Sequence, residues 1–233
     1  MNYKRIIPDA ITSCNLLCGA LATYMATQGK FQWAFVLILA GAFFDFFDGL
    51  SSRILKAPSP IGVQLDSLAD DITFGLAPAM MLFCFVKPTV GWWAVITLLM
   101  AAFSALRLAK FNVDERQHDS FIGLATPSNA IFWGGICCLP IEITSNTWLV
   151  WVLLGISIIS CYLLNAEIPF FSFKAFKSNR SLILCFLAGC LILLGVSIAE
   201  AIRYHRECFA FFGGTACIIW YVALNILMLF KKK

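Results

Sequence analysis

Apolar residues run through this chain in long blocks. Each block is close to the roughly 20 residues that a helix needs to cross a hydrocarbon core. They fall at 9–28, 31–54, 63–86, 91–111, 122–143, 148–166, 181–201 and 209–230. The breaks are short and carry helix-ending residues: Gly29 with Lys30, Pro58 with Pro60, Lys87 with Pro88, and the polar stretches 112–120 and 173–180. No unit repeats with a period of tens of residues, and no low-complexity run is present. The pattern predicts an all-α, polytopic transmembrane helix bundle of about eight spans, with 1–233 forming a single membrane domain. Lys4 and Arg5 precede the first block as they would in a signal peptide. Asp9, Ser13 and Asn15 interrupt that block, however, and seven more follow, so a retained helix with a short interfacial start is expected.

Composition narrows the class further. Of 233 residues, 61% are hydrophobic and 13% charged, against about half and about a quarter in a soluble domain. This excludes a soluble globular domain, a disordered chain and a nucleic-acid-binding module. The 10 cysteines lie mostly inside apolar blocks, where a reduced thiol packs as a small hydrophobe. Cys14 and Cys18 have no second pair to complete a zinc site. His118 and His205 are far apart and are expected to face solvent. The 22 phenylalanines and 7 tryptophans fit lipid contact and interfacial belts.

Lysine and arginine set the orientation. With the N-terminus in the cytoplasm, 13 of the 17 cations fall on the inner side, among them Lys4, Arg5, Arg53, Lys56, Arg107, Lys110, Arg116, Lys174, Lys177, Arg180 and the terminal lysines 231–233. Only Lys30, Lys87, Arg203 and Arg206 fall outside. Both termini are therefore expected in the cytoplasm. The net charge of +4 describes an inner face suited to anionic lipid headgroups rather than to nucleic acid.

Five of the 13 acidic residues crowd into one stretch, at Asp45, Asp48, Asp66, Asp70 and Asp71. Asp45 and Asp48 are i,i+3 on span two, and Asp66 and Asp70 are i,i+4 on span three, so each pair shares a helix face. The short turn between Arg53 and Gly62 makes the two spans antiparallel neighbours, with both pairs at one depth. An aspartate deep in a membrane costs about 2.5–3.5 kcal/mol on insertion scales, so four together require cations or water. Carboxylates converging from two helices form an all-oxygen site suited to Mg²⁺ or Mn²⁺. Two such ions about 4 Å apart can clamp a phosphoryl displacement. Asp71 points about 100° away from Asp70 and is not expected among the ligands. Gly49 and Gly62 allow a ligand to approach the backbone closely. Gly41 and Ala42 permit tight helix contact. Arg53 reads equally as a membrane-surface anchor or as a phosphate partner.

The string D-F-F-D-G-L-S-S-R, eight residues, then G-V-Q-L-D-S-L-A-D, spanning 45–70, resembles the signature of the CDP-alcohol phosphatidyltransferase family. Every acid, both glycines and the arginine fall in place; Ser52 stands where the family usually has alanine. Three further stretches are similar to one branch, the membrane phosphatidylserine synthases. They are I-P-D-A-I-T-S-C-N-L-L-C-G near the N-terminus, D-S-L-A-D-D-I-T-F-G-L-A-P-A after the signature, and R-L-A-K-F-N at 107–112 followed by F-I-G-L at 121–124. Ala125 stands where that branch often has proline. The resemblance covers roughly 5–135. It implies that Asp45, Asp48, Asp66 and Asp70 hold two divalent ions, Mg²⁺ or Mn²⁺, and that Asp70 is also the general base. It implies that Gly49, Ser52, Arg53 and Gly62 line the site for CDP-diacylglycerol, that L-serine is the acceptor, and that the products are phosphatidylserine and CMP. It further implies a homodimer in a bacterial inner membrane, with the active site facing the cytoplasm.

The residues themselves leave the serine site open. Arg107 and Lys110, i,i+3 at the end of span four, read as partners for the serine carboxylate or a lipid phosphate, or as membrane-surface anchors. Thr126, Ser128 and Asn129 at the start of span five read as further site residues or as groups bonded to helix carbonyls. A sister enzyme acting on glycerol 3-phosphate or inositol phosphate shares the same signature. A cation transporter predicts acids spread along a mid-membrane path, and a metal-dependent lipid phosphatase is a weaker alternative.

Overall fold

In a computed structural model the chain is described at residues 3–56, 59–113, 121–140, 144–170, 180–204 and 208–231. Arg116, His118, Lys174, Lys177, His205, Arg206, Lys232 and Lys233 lie outside the described residues.

The apolar blocks form helices in the expected order. Helices α1 (Tyr3–Thr27) and α2 (Phe31–Ile54) make an antiparallel hairpin. The third rod is built of α3 (Pro60–Asp70), a π-helical turn (Asp71–Leu76) and α4 (Ala77–Val90). Pro60 opens it at a position where its missing N–H costs nothing, and the Ser59 side chain accepts from the Gly62 N–H at 3.4 Å. Gly91, at φ 58° and ψ −126°, supplies a reversal that an L side chain rarely adopts. The chain then returns through a 3-10 stretch (Gly91–Leu98) and α5 (Leu99–Val113), which lies against the π turn. Helices α6 (Thr126–Cys137), α7 (Thr147–Asn165), α8 (Arg180–Tyr204) and α9 (Cys208–Lys231) follow.

Among the described residues, five helical stretches are long and apolar enough to cross a bilayer: Ile6–Thr27, Phe31–Ile54, Pro60–Val113, Thr147–Asn165 and Leu184–Arg203. The third, at 54 residues, is the rod that doubles back at Gly91. The block expected over 122–143 holds only the 12-residue α6, about 18 Å long against a core of about 30 Å. It ends before Pro140, which lacks the N–H and clashes with a continuing helix. Phe121 and Ile122 instead pair with Phe170 and Pro169 in a two-residue antiparallel ladder (β1 and β2). That ladder ties the segment before α6 to the end of α7.

The core sits where α2, the third rod and α6 meet, around Phe35, Phe74, Phe85 and the fully buried Trp133. Lipid tails are as apolar as leucine, so helices associate through close packing and interhelical hydrogen bonds. The buried Trp133 indole donates to Ser160 of α7 at 3.2 Å, and Thr215 of α9 donates to the Phe132 carbonyl of α6 at 2.9 Å. Helix α1 also packs backbone to backbone on the π turn: a methyl at Gly19 would lie 2.7 Å from the Thr73 Cα and 2.8 Å from its nitrogen. Gly19→Ala therefore has to separate two backbones, an overpacking cost of about 1–3 kcal/mol. It is expected to lower the melting temperature in detergent. Gly155→Ala, whose new methyl meets nothing within 4 Å, is expected to leave it unchanged or raise it.

Candidate active site

The signature acids gather at the end of α2 and the beginning of the third rod. Asp45 and Asp48 lie one turn apart on α2, and Asp66 and Asp70 one turn apart on α3. One carboxylate oxygen each from Asp45, Asp48 and Asp66 fall within 4.8 Å of one another. Asp48 is buried, and Asp66 Oδ1 is sealed from solvent without a hydrogen-bond donor. A buried carboxylate oxygen with no donor fits a cation ligand, and the all-oxygen set suits a hard divalent ion. Asp70 lies one turn beyond this trio, close enough for Asp45 and Asp66 to repel its charge.

The helix pair does not act alone. Helix α1 packs along both α2 and α3 and brings polar groups to the acids. Thr12 Oγ1 lies 2.6 Å from Asp48 Oδ2, and Asn15 Nδ2 donates to Asp70 Oδ1 at 3.0 Å. Thr73, in the π turn just past Asp70, donates to the Asn15 carbonyl at 3.0 Å. Neither Thr12 nor Asn15 belongs to the 45–70 signature. Their signal was available in principle: two polar residues at i,i+3 in an apolar block share a face, and polar groups in membrane helices turn toward the bundle interior.

A cavity of about 130 Å³ opens beside the trio. Gly49, Ser52 and Gly62 line it, together with Asp48 and Asp66. Pro8, Asp9 and Thr12 of α1 form its other wall. Arg53 is exposed at the end of α2 and does not line this cavity. The two candidate cations of α5 part company. Arg107 is 7% exposed, with a buried, unpaired Nε, and feels the charge of Asp70. Lys110 is exposed at the helix end. Asn129 turns away from the acids: its Oδ1 accepts from Ser160 of α7 and its Nδ2 meets Met100 Sδ at 4.0 Å. Asp71, like Asp70, falls outside the trio. A methyl at Gly75 would lie 2.6 Å from Asp71 Oδ1 and 2.7 Å from Ser104 Oγ, so Asp71 faces Ser104 of α5.

Comparison with known proteins gives a family match. The family model of CDP-alcohol phosphatidyltransferases matches residues 5–163, so α8 and α9 lie beyond it. The chain is 35% identical over 178 residues to the CDP-diacylglycerol–serine O-phosphatidyltransferase of Bacillus subtilis, covering 75% of this chain and 93% of that protein. It is 36% identical over 159 residues to the protein of the same name from Mycobacterium bovis, covering 64% of this chain and 55% of that relative. A Helicobacter pylori protein of that name is 27% identical over 240 residues, covering 100% of this chain and 98% of the relative.

The geometry predicts the behaviour of a metal titration. With Mn²⁺ followed by electron paramagnetic resonance, Asp45→Asn and Asp66→Asn are expected to weaken binding at least about tenfold, while Asp71→Asn leaves it near wild type. Equal loss in all three would place Asp71 among the ligands.

Proposed function

The chain belongs to the CDP-alcohol phosphatidyltransferase family, and we propose on that footing that it is a membrane enzyme making phosphatidylserine and CMP from CDP-diacylglycerol and L-serine. The observation that carries this reading is the convergence of Asp45, Asp48 and Asp66 beside a cavity lined by Gly49, Ser52 and Gly62. The names of relatives that align over most or all of their own length favour serine as the acceptor.

Asp45, Asp48, Asp66 and Asp70 would hold the metal, Mg²⁺ or Mn²⁺, in this reading as two ions. What divalent cations supply at such a cluster is neutralisation of the pyrophosphate charge as CMP departs. Gly49 and Gly62 leave room for the diphosphate against the backbone, with Ser52 beside it, and Arg53 offers a positive charge at the rim. Asp70 takes the proton of the serine hydroxyl, a poor nucleophile until it is deprotonated. The oxygen then attacks the phosphorus that carries the diacylglycerol, and its bond to the CMP oxygen breaks. Arg107, buried near Asp70 with an unpaired Nε, is the better partner for the serine carboxylate. Lys110 at the helix end attracts the anionic substrates from the membrane surface.

The same reading places the enzyme, as one membrane domain, in a bacterial inner membrane as a homodimer, with eight spans and both termini cytoplasmic. Support for the topology comes from the sequence, where the positive-inside pattern assigns 13 of the 17 cations to one side. The short α6 is compensated by buried, non-helical flanks at Leu124 and Cys138, a form of backbone tolerated at membrane depth when protein covers it. The active site then faces the cytoplasm, within reach of both the lipid and the water-soluble serine.

The test is CMP release by purified protein supplied with CDP-diacylglycerol, Mn²⁺ and, in turn, serine, glycerol 3-phosphate and inositol phosphate. Only serine is expected to raise CMP above background; release with another alcohol and none with serine overturns the acceptor assignment. Asp70→Asn is expected to lower kcat by about 100-fold or more, and near-wild-type turnover would remove Asp70 from its role. Arg107→Gln is expected to raise KM for serine with little change in KM for CDP-diacylglycerol. An unchanged serine KM would return Arg107 to a structural part.

A further inference from the structure

The acid centre has a third contributor besides α2 and α3, and nothing in its signature names it. We propose that Thr12 and Asn15 of α1 are positioning residues for the aspartate centre. Each donates a hydrogen bond to one oxygen of a carboxylate and so aims the other oxygen at cation and substrate. The inference rests on the reading of these acids as metal ligands.

The geometry is specific. Thr12 is 3% exposed and its Oγ1 has two acceptors in reach, Asp48 Oδ2 at 2.6 Å and the Pro8 carbonyl at 3.0 Å. A hydroxyl has one proton to give, and the shorter, charged bond is the stronger. That leaves Asp48 Oδ1 for the cation. Asn15 is fully buried and gives its Nδ2 proton to Asp70 Oδ1 at 3.0 Å, which leaves Oδ2 for base or ligand duty. Two donors one turn apart on a single helix thus hold one acid from α2 and one from α3. The distance between those helices and the aim of their carboxylates are set together.

Asn15 is itself held from several sides. Its carbonyl accepts from Thr73 in the π turn, and its Oδ1 sits 2.9 Å from where a methyl on Gly41 of α2 would lie. The same methyl would come within 2.5 Å of Thr73 Cγ2. The missing side chain at Gly41 therefore keeps Asn15 in register with Asp70. Groups that orient a ligating residue are commonly worth 10–100-fold in metal affinity or activity.

The experiment compares Mn²⁺ binding by electron paramagnetic resonance with CMP-release kinetics on the full-length protein in detergent. Thr12→Val, nearly isosteric, is expected to weaken Mn²⁺ binding by about tenfold or more, and Thr12→Ser, which keeps the hydroxyl, to restore it. Asn15→Leu and Gly41→Ala are expected to lower kcat in parallel, since both release Asp70. Ser13→Ala is expected to change neither readout, because the Ser13 hydroxyl is spent on its own helix at the Asp9 carbonyl. If Thr12→Val binds Mn²⁺ as tightly as wild type, the inference fails while the metal reading stands. If wild type itself binds no Mn²⁺, the metal reading fails and takes the inference with it. Should Thr12→Ser fall as far as Thr12→Val, the effect belongs to packing and not to the hydroxyl.

Discussion

Mutual repulsion of carboxylates inside a helical membrane bundle is the constraint on which the rest of this structure turns. Two unit charges at the 4.8 Å limit of the Asp45, Asp48 and Asp66 trio repel by about 3.5 kcal/mol at an effective dielectric of about 20. An interhelical hydrogen bond in a membrane protein contributes about 0.6 kcal/mol on average and rarely above 2. The bonds from Thr12 and Asn15 are therefore too weak to offset the repulsion. They aim the oxygens; while the acids are ionised, compensating positive charge has to come from cations brought to the site. The buried, donor-free Asp66 Oδ1 is the kind of atom such a cation would satisfy.

That constraint accounts for the scaffold around the acids. With almost no hydrophobic drive between helices in lipid, position must be fixed by close backbone approach and by polar bonds. Gly19 and Gly41 let α1 and α2 close on Thr73, and the π turn that carries Thr73 follows Asp70 directly. A π turn inserts a residue into the helical ladder and is frequent at functional sites. Here it separates the face that presents Asp66 and Asp70 from the face that packs Phe74 and Met81 into the core. Gly91 then folds the rod back, and Arg107, on the returning α5, comes near Asp70.

Much of this was legible in the chain itself. Among the described residues the apolar blocks overlie the helical stretches, five of which are long and apolar enough to cross a bilayer. The aspartate spacing gave the shared faces, and the motif around it, with its glycines and arginine, carried the family resemblance, because acids are rare enough in such a chain to stand out. Two things were harder to read. The block over 122–143 is mostly apolar, yet α6 covers only 12 residues of it; hydropathy counts a proline-ended helix and its buried flanks alike. Arg107 and Lys110 are equivalent by position, and only the packing of α5 buries one and leaves the other exposed.

The sequence by itself determined a helical membrane protein, its approximate rods, and the acids, glycines and spacing of the signature, since these depend on local composition and helical period. Tertiary structure decided what stands beside those acids. Thr12 lies 36 residues before Asp48 and Asn15 lies 55 before Asp70, and no periodicity links α1 to α2 and α3. Their roles exist only because interlocking glycines let three helices approach within hydrogen-bonding distance. The same holds for Asn129, which looks available in sequence and is committed to Ser160 once α7 is packed against α6. Helical period assigns a residue to a face; which neighbour that face meets is settled by packing between segments far apart in the chain.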